Sequence, residues 1–114
     1  MNETLRIAAF DIGTNKIVGA VSEKTEDSFS IIAIEEEKTR SGSVYKGKIN
    51  NVSDVAFQIV SIIRKLNNKI NAKINSAYIS ISNEKGYHTE EWDKLVKELG
   101  SRGVKVYTLD RLDC

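Results

Sequence analysis

One stripe of apolar residues in mid-chain restricts the possible folds more than any other feature. Val55, Ala56, Ile59, Ile62, Ile63, Leu66 and Ile70 recur at three- and four-residue spacing, with Val60 widening the stripe. Asn51 stands where an N-cap is expected, and Asp54 three residues later suits the positive end of the helix dipole. Asn67, Asn68, Asn71 and Asn75 crowd the exit, where the helix is expected to fray. A face this broad has to be buried, and the flanking segments that could bury it read as strands, which makes a helix packed on a sheet.

Three β-type runs precede that helix: Leu5 to Phe10, Ile17 to Val21 and Phe29 to Glu35. The turns between them are short and polar, as in an antiparallel meander. The charge run Glu35-Glu36-Glu37-Lys38 reads as a solvated strand end, and Ser41-Gly42-Ser43 with Gly47 as an irregular connection to the helix. Beyond the helix, Ala77 to Ile81 forms a strand, followed by a polar loop from Asn83 to His88. Thr89 caps a second helix with Glu90 and Glu91 in its first turn and Trp92, Leu95, Val96 and Leu99 on its inner face. Gly100 and Gly103 end it, and Val104 to Leu109 is the last strand, expected to pair in parallel with the one before. The order is β-β-β-α-β-α-β. It predicts a single α/β domain over residues 1–114 with a five-stranded mixed sheet, of ribonuclease-H-like or actin-lobe type.

Charge and termini narrow the function classes. Lys and Arg number 17 against 16 Asp and Glu, a formal charge of +1 that argues against a nucleic-acid partner. The single cysteine, Cys114, excludes an intrachain disulfide framework. Met1-Asn2-Glu3-Thr4 has no basic or apolar leader, and no apolar run is long enough to span a membrane, so the expected location is the cytoplasm. His88 is a lone loop histidine and is read as a surface residue. Open sheet edges leave self-association possible.

The candidate chemistry lies between the first two strands, in Phe10-Asp11-Ile12-Gly13-Thr14-Asn15-Lys16. A tight turn with a glycine and a hydroxyl can aim N–H groups at a phosphate, with Asp11 at the strand end to hold a cation through water. An ordinary hairpin would use the same residues. Three blocks resemble the bacterial cell-division actin homologue FtsA over residues 5–82: Ala9 to Ile17; Gly42-Ser43-Val44-Tyr45-Lys46-Gly47-Lys48-Ile49-Asn50-Asn51; and Ser76 to Ile81. The resemblance implies that Gly13, Thr14, Asn15 and Lys16 match the first phosphate-binding turn, with Asp11 near the magnesium position and ATP with Mg²⁺ as cofactors. It also implies cell-division partners, although the FtsZ-binding surface and the amphipathic membrane anchor of that family have no counterpart in these residues. Ser82-Asn83-Glu84-Lys85-Gly86 departs from the pattern, so residues 83–114 are a closing helix and strand of uncertain origin. Half of a two-lobed cleft implies weak ATP binding or none, and no hydrolysis by this chain alone.

Two other readings stand beside this one. The Holliday-junction resolvases and their YqgF-like relatives share the fold and need converging carboxylates for two-metal chemistry. Asp11, Glu84 and Asp110, each expected after a strand, would be the catalytic set of such a Mg-dependent nuclease. The third reading is a structural interaction module with neither activity.

Overall fold

A computed structural model describes residues 5–81 and 87–108. Strand β1 (Leu5–Ile12) runs between β2 (Lys16–Lys24), to which it is antiparallel, and β6 (Ser76–Ile81), to which it is parallel. Strand β3 (Phe29–Lys38) closes one side against β2, and β7 (Lys105–Thr108) closes the other, parallel to β6. The order is β3-β2-β1-β6-β7, the mixed five-stranded sheet expected from the sequence. Leu109 lies outside the described residues, and the last strand ends at Thr108.

Helix α1 (Val52–Ile70) and helix α2 (Glu90–Ser101) both pack on the same face of this sheet. That face carries Ala8, Phe10 and Ile12 of β1, Ile17 and Val21 of β2, and Ala77, Ile79 and Ile81 of β6. Their alternation puts every second residue of each strand toward the helices. Against them α1 buries Val55, Ala56, Ile59, Ile62, Ile63 and Leu66, while α2 buries Trp92, Leu95 and Leu99. Gly19 lets α1 come close: a Cβ there would stand 2.5 Å from the Phe10 ring and 2.8 Å from Ile62 Cγ2. Asn51 caps α1 by accepting from the Asp54 N–H, and Thr89 caps α2 by accepting from the Trp92 N–H, both as expected.

The charge run 35–38 is the end of β3, as expected, but it is only partly solvated: Glu36 and Lys38 are exposed, while Glu35 and Glu37 are half-buried. Side chains of α1 reach across to hold it: Lys69 meets Glu35 at 2.8 Å, and Ser61 Oγ, Lys65 Nζ and Gln58 Nε2 all donate to Glu37. The glycine-containing connection is not irregular. Residues Val44–Tyr45 (β4) and Lys48–Ile49 (β5) form a small hairpin, anchored by buried Val44 and Ile49. Its two-residue turn has Lys46 at φ 51° and Gly47 at φ 75°, the left-handed pair a tight hairpin requires. Finally, the asparagine-rich exit of α1 is ordered rather than frayed. Asn71 adopts a left-handed cap at φ 54°, and Asn67 Oδ1 accepts from the Ile74 N–H at 2.8 Å.

Candidate functional site

The β1–β2 turn stands at the carboxyl ends of β1 and β6, on the edge where the parallel strands finish. Ile12 and Ile17 form the last ladder pair, both fully buried, so the turn leaves from a rigid base. The Gly13 N–H closes it onto the Lys16 carbonyl at 3.0 Å. A Cβ on residue 13 would meet that same carbonyl at 2.8 Å, which is the physical reason for glycine there. Thr14 and Asn15 form the exposed tip. Among the described residues, the backbone N–H groups of Thr14 and Asn15 and the Thr14 hydroxyl donate no hydrogen bond.

Thr39, which sequence reasoning missed, clamps the turn from the far side. Its side chain is buried; its hydroxyl donates to the Gly13 carbonyl at 2.8 Å and its N–H to the Asn15 carbonyl at 2.9 Å. With the Gly13 carbonyl turned onto Thr39, the Thr14 N–H of the same peptide points to the opposite side. Gln58 supports the same corner. This buried amide accepts from the Arg40 N–H and donates to the Lys38 carbonyl and to Glu37. Nothing in the linear spacing announces either residue, because their role depends on the register that sets β3 beside β2.

Asp11 is exposed, on the face of the sheet away from the helices. Ser80, its neighbour on β6, donates to its Oδ1 at 3.2 Å. One carboxylate with free lone pairs can hold a hydrated cation beside the turn. Lys16 leans back along the sheet to Glu36 at 3.7 Å, an exposed pair that contributes little and yields readily to another anion. Lys38, its cross-strand partner, lines an open cavity with Thr14, Asn15, Thr39 and Tyr45. Thr14 and Asn15 thus share a cavity with Lys38 and Thr39, while Asp11 is set apart on β1 with Ser80 as its side-chain contact and does not line that cavity. Glu84 and Asp110 lie outside the described residues. Among the described residues no group of three His, Cys, Asp or Glu side chains stands close enough to share a metal ion. His88 is exposed, as expected, and no helix is long and apolar enough to cross a membrane.

No protein-family profile matches the sequence, and no curated protein does either. Solved structures do match. The ethanolamine utilization protein EutJ from Carboxydothermus hydrogenoformans superposes with a TM-score of 0.64 at 20% identity, covering 91% of this chain and 36% of its own. A Ppx/GppA family member from Aquifex aeolicus gives a TM-score of 0.58 at 16% identity, covering 93% of this chain and 36% of its own. The PilM–PilN type IV pilus biogenesis complex gives 0.55 at 13% identity, over 68% of this chain and 21% of its own. The chain thus spans about a third, or less, of the length of the proteins it resembles. These are proteins of the actin-like ATPase fold, and at such identities what is shared is that fold: the five-stranded sheet with its two helices is an actin-like lobe.

Proposed function

We propose that this lobe is a phosphate-holding half-site for a nucleotide, FtsA-like in kind, that serves as a scaffold and has no catalysis of its own. The observation that carries the reading is the outward-facing tip of the β1–β2 turn. The N–H groups of Thr14 and Asn15 and the Thr14 hydroxyl donate to no other described group, and the Thr39 hydroxyl holds the Gly13 carbonyl that shares a peptide with the Thr14 N–H. Such donors favour an anion, and Asp11 on β1 suits the cation that accompanies a nucleotide's phosphates. The Aquifex aeolicus relative being a phosphatase agrees with phosphate as the ligand chemistry. Thr14, Asn15 and Lys38 would meet phosphate oxygens, and Asp11 would hold Mg²⁺ through water. Bound magnesium would supply charge neutralisation between phosphates. One wall of a cleft leaves the base and sugar in solvent, so binding is weak.

Amide-resolved NMR with Mg-ATP tests this, with Mg-tripolyphosphate in parallel to separate nucleotide from phosphate alone. Fast-exchange shifts are expected at residues 13–16 and 38–39, with a dissociation constant on the order of millimolar, about 4 kcal/mol. Gly13→Ala should abolish them while leaving the strand amides in place. A turn that stays unmoved in wild-type protein overturns the reading. The finer assignment, to cell division, rests on the three segments resembling FtsA. A fluorescent fusion that spreads evenly through a dividing bacterium, instead of gathering at the septum, removes it.

A further inference from the structure

At the amino ends of β6 and β7, the end of the sheet away from the 13–16 turn, a cavity of about 300 Å³ opens between the two helices. Val60 and Ile63 of α1, Ile74 before β6 and Val104 before β7 give it apolar walls. Arg64, Lys73 and Arg102 also line it, and among the described residues no carboxylate does. Arg102 is neutralised by Glu98, one turn back on α2, at 2.9 Å. Arg64 and Lys73 have no hydrogen bond or ion pair with any described residue. Asn67 adds a donor: its Oδ1 accepts from the Ile74 N–H, which leaves Nδ2 unpartnered among the described residues. Helix capping does not account for these cations. Both helices end here, but their exit carbonyls are taken by backbone donors, Asn67 O by the Asn71 and Ala72 N–H groups and Leu99 O by those of Arg102 and Val104. Arg64 moreover stands before the last turn of α1, outside the reach of its dipole.

We infer that this cavity binds a small organic carboxylate with an apolar body, its head between Arg64 and Lys73 and its body against the Val60, Ile63, Ile74 and Val104 walls. The volume lies at the small end of ligand pockets, about 300–1,000 Å³, and leaves no room for a helix about 10–12 Å across, so the occupant is a small molecule. Two uncompensated positive charges with no negative one select an anion, and the planar guanidinium of Arg64 matches the two oxygens of a carboxylate. A dianion such as phosphate is the poorer fit, because the negative ends of both helix dipoles face this end of the sheet. It would also gain nothing from the apolar walls, which take a hydrocarbon or aromatic body out of water. The site stands at the opposite end of the strands from the 13–16 turn, so it is independent of any ligand held there.

Amide-resolved NMR titration of the whole chain with 3-phenylpropionate, at fixed ionic strength, tests this. Shifts are expected at residues 63–67, 73–75 and 102–104, with the 13–16 amides unmoved. Two relatives of that compound separate head from body in the wild-type protein. 3-Phenylpropionamide keeps the shape without the charge, and acetate keeps the charge without the body; each should bind at least about tenfold more weakly. The double variant Arg64→Gln, Lys73→Gln should weaken 3-phenylpropionate by at least about tenfold as well. Both side chains are exposed and unpartnered among the described residues, so the rest of its spectrum should stay that of the wild type. Wild-type protein whose amides at this end stay unmoved overturns the inference. Equal binding of the amide overturns it by removing the role of charge, and equal binding of acetate by removing that of the walls. A double variant that binds like the wild type overturns it too, by placing the carboxylate elsewhere.

Discussion

Glu37 shows how a single side chain changes its meaning once the helix is in place. Burial alone raises its pKa, but hydrogen bonds from Ser61 at 2.6 Å, Lys65 at 3.0 Å and Gln58 at 3.2 Å, together with the Lys65 charge, outweigh that and lower it from 4.5. The carboxylate is therefore better held in the folded chain than in the unfolded one. Its contribution is complete above the unfolded value of 4.5 and is lost as pH falls through the lower folded value. Glu37→Gln keeps the shape and removes the charge. At neutral pH the variant should be less stable by about 1–2 kcal/mol, the worth of a charge-assisted cluster discounted for partial exposure. Urea midpoints compared at pH 7 and in strong acid check this: the gap between the two proteins should close as the wild-type carboxylate protonates. A gap that persists in acid would mean that the charge is not what the variant loses.

The junction of β6 with α2 is held by Tyr87, whose role emerges only at the level of elements. Its hydroxyl accepts from the Ile81 N–H at 3.0 Å, and its ring meets the Trp92 ring edge-on at 4.8 Å between centroids. The last residue of β6 and the first turn of α2 are thus tied through one side chain. Tyr87→Phe keeps the ring contact and strips the acceptor from a buried strand end, so a loss of about 1–2 kcal/mol is expected in chemical denaturation. The tryptophan emission should keep its wild-type wavelength if the ring packing survives. Residues of this kind mark the limit of what spacing reveals. Periodicity exposes α1, α2 and the strands because each buries one face, and Asn51 and Thr89 are legible because caps act within three residues. Asp11 and Gly13 to Lys16 are legible as a turn for the same local reason. Thr39, Gln58 and Tyr87 act across 26, 20 and 6 residues of sequence respectively. Their partners are backbone groups, whose positions only the sheet register supplies. The charge run 35–38 is legible as a strand end, but the half-burial of Glu35 and Glu37 is not, because it takes α1 to bring Lys69, Ser61 and Lys65 across to them.

At the scale of the whole molecule the sheet is unequally supported. Its β3-β2-β1 half lies under the 19-residue α1, with six apolar side chains of that helix buried along it. The other flank depends on α2, 12 residues long, and on β7, four residues long and an edge strand with no buried residue. Local opening follows the density of buried apolar contacts, so the α2–β7 flank should open before the rest. Native-state hydrogen exchange reads this directly. Amides of Leu95 to Leu99 and of Val106 and Tyr107 should exchange through openings at least about 1–2 kcal/mol cheaper than those of Phe10 to Ile12, Ile17 to Val21 and Ile59 to Leu66. Uniform protection would instead describe one cooperative unit and remove the distinction. The asymmetry bears on the site, because the β1–β2 turn and its Thr39 clamp belong to the slowly opening half. A ligand held at that turn should add protection to β1 and β2 and leave the α2–β7 flank exchanging at its former rate, since only contacts made in the bound state can shift an opening equilibrium.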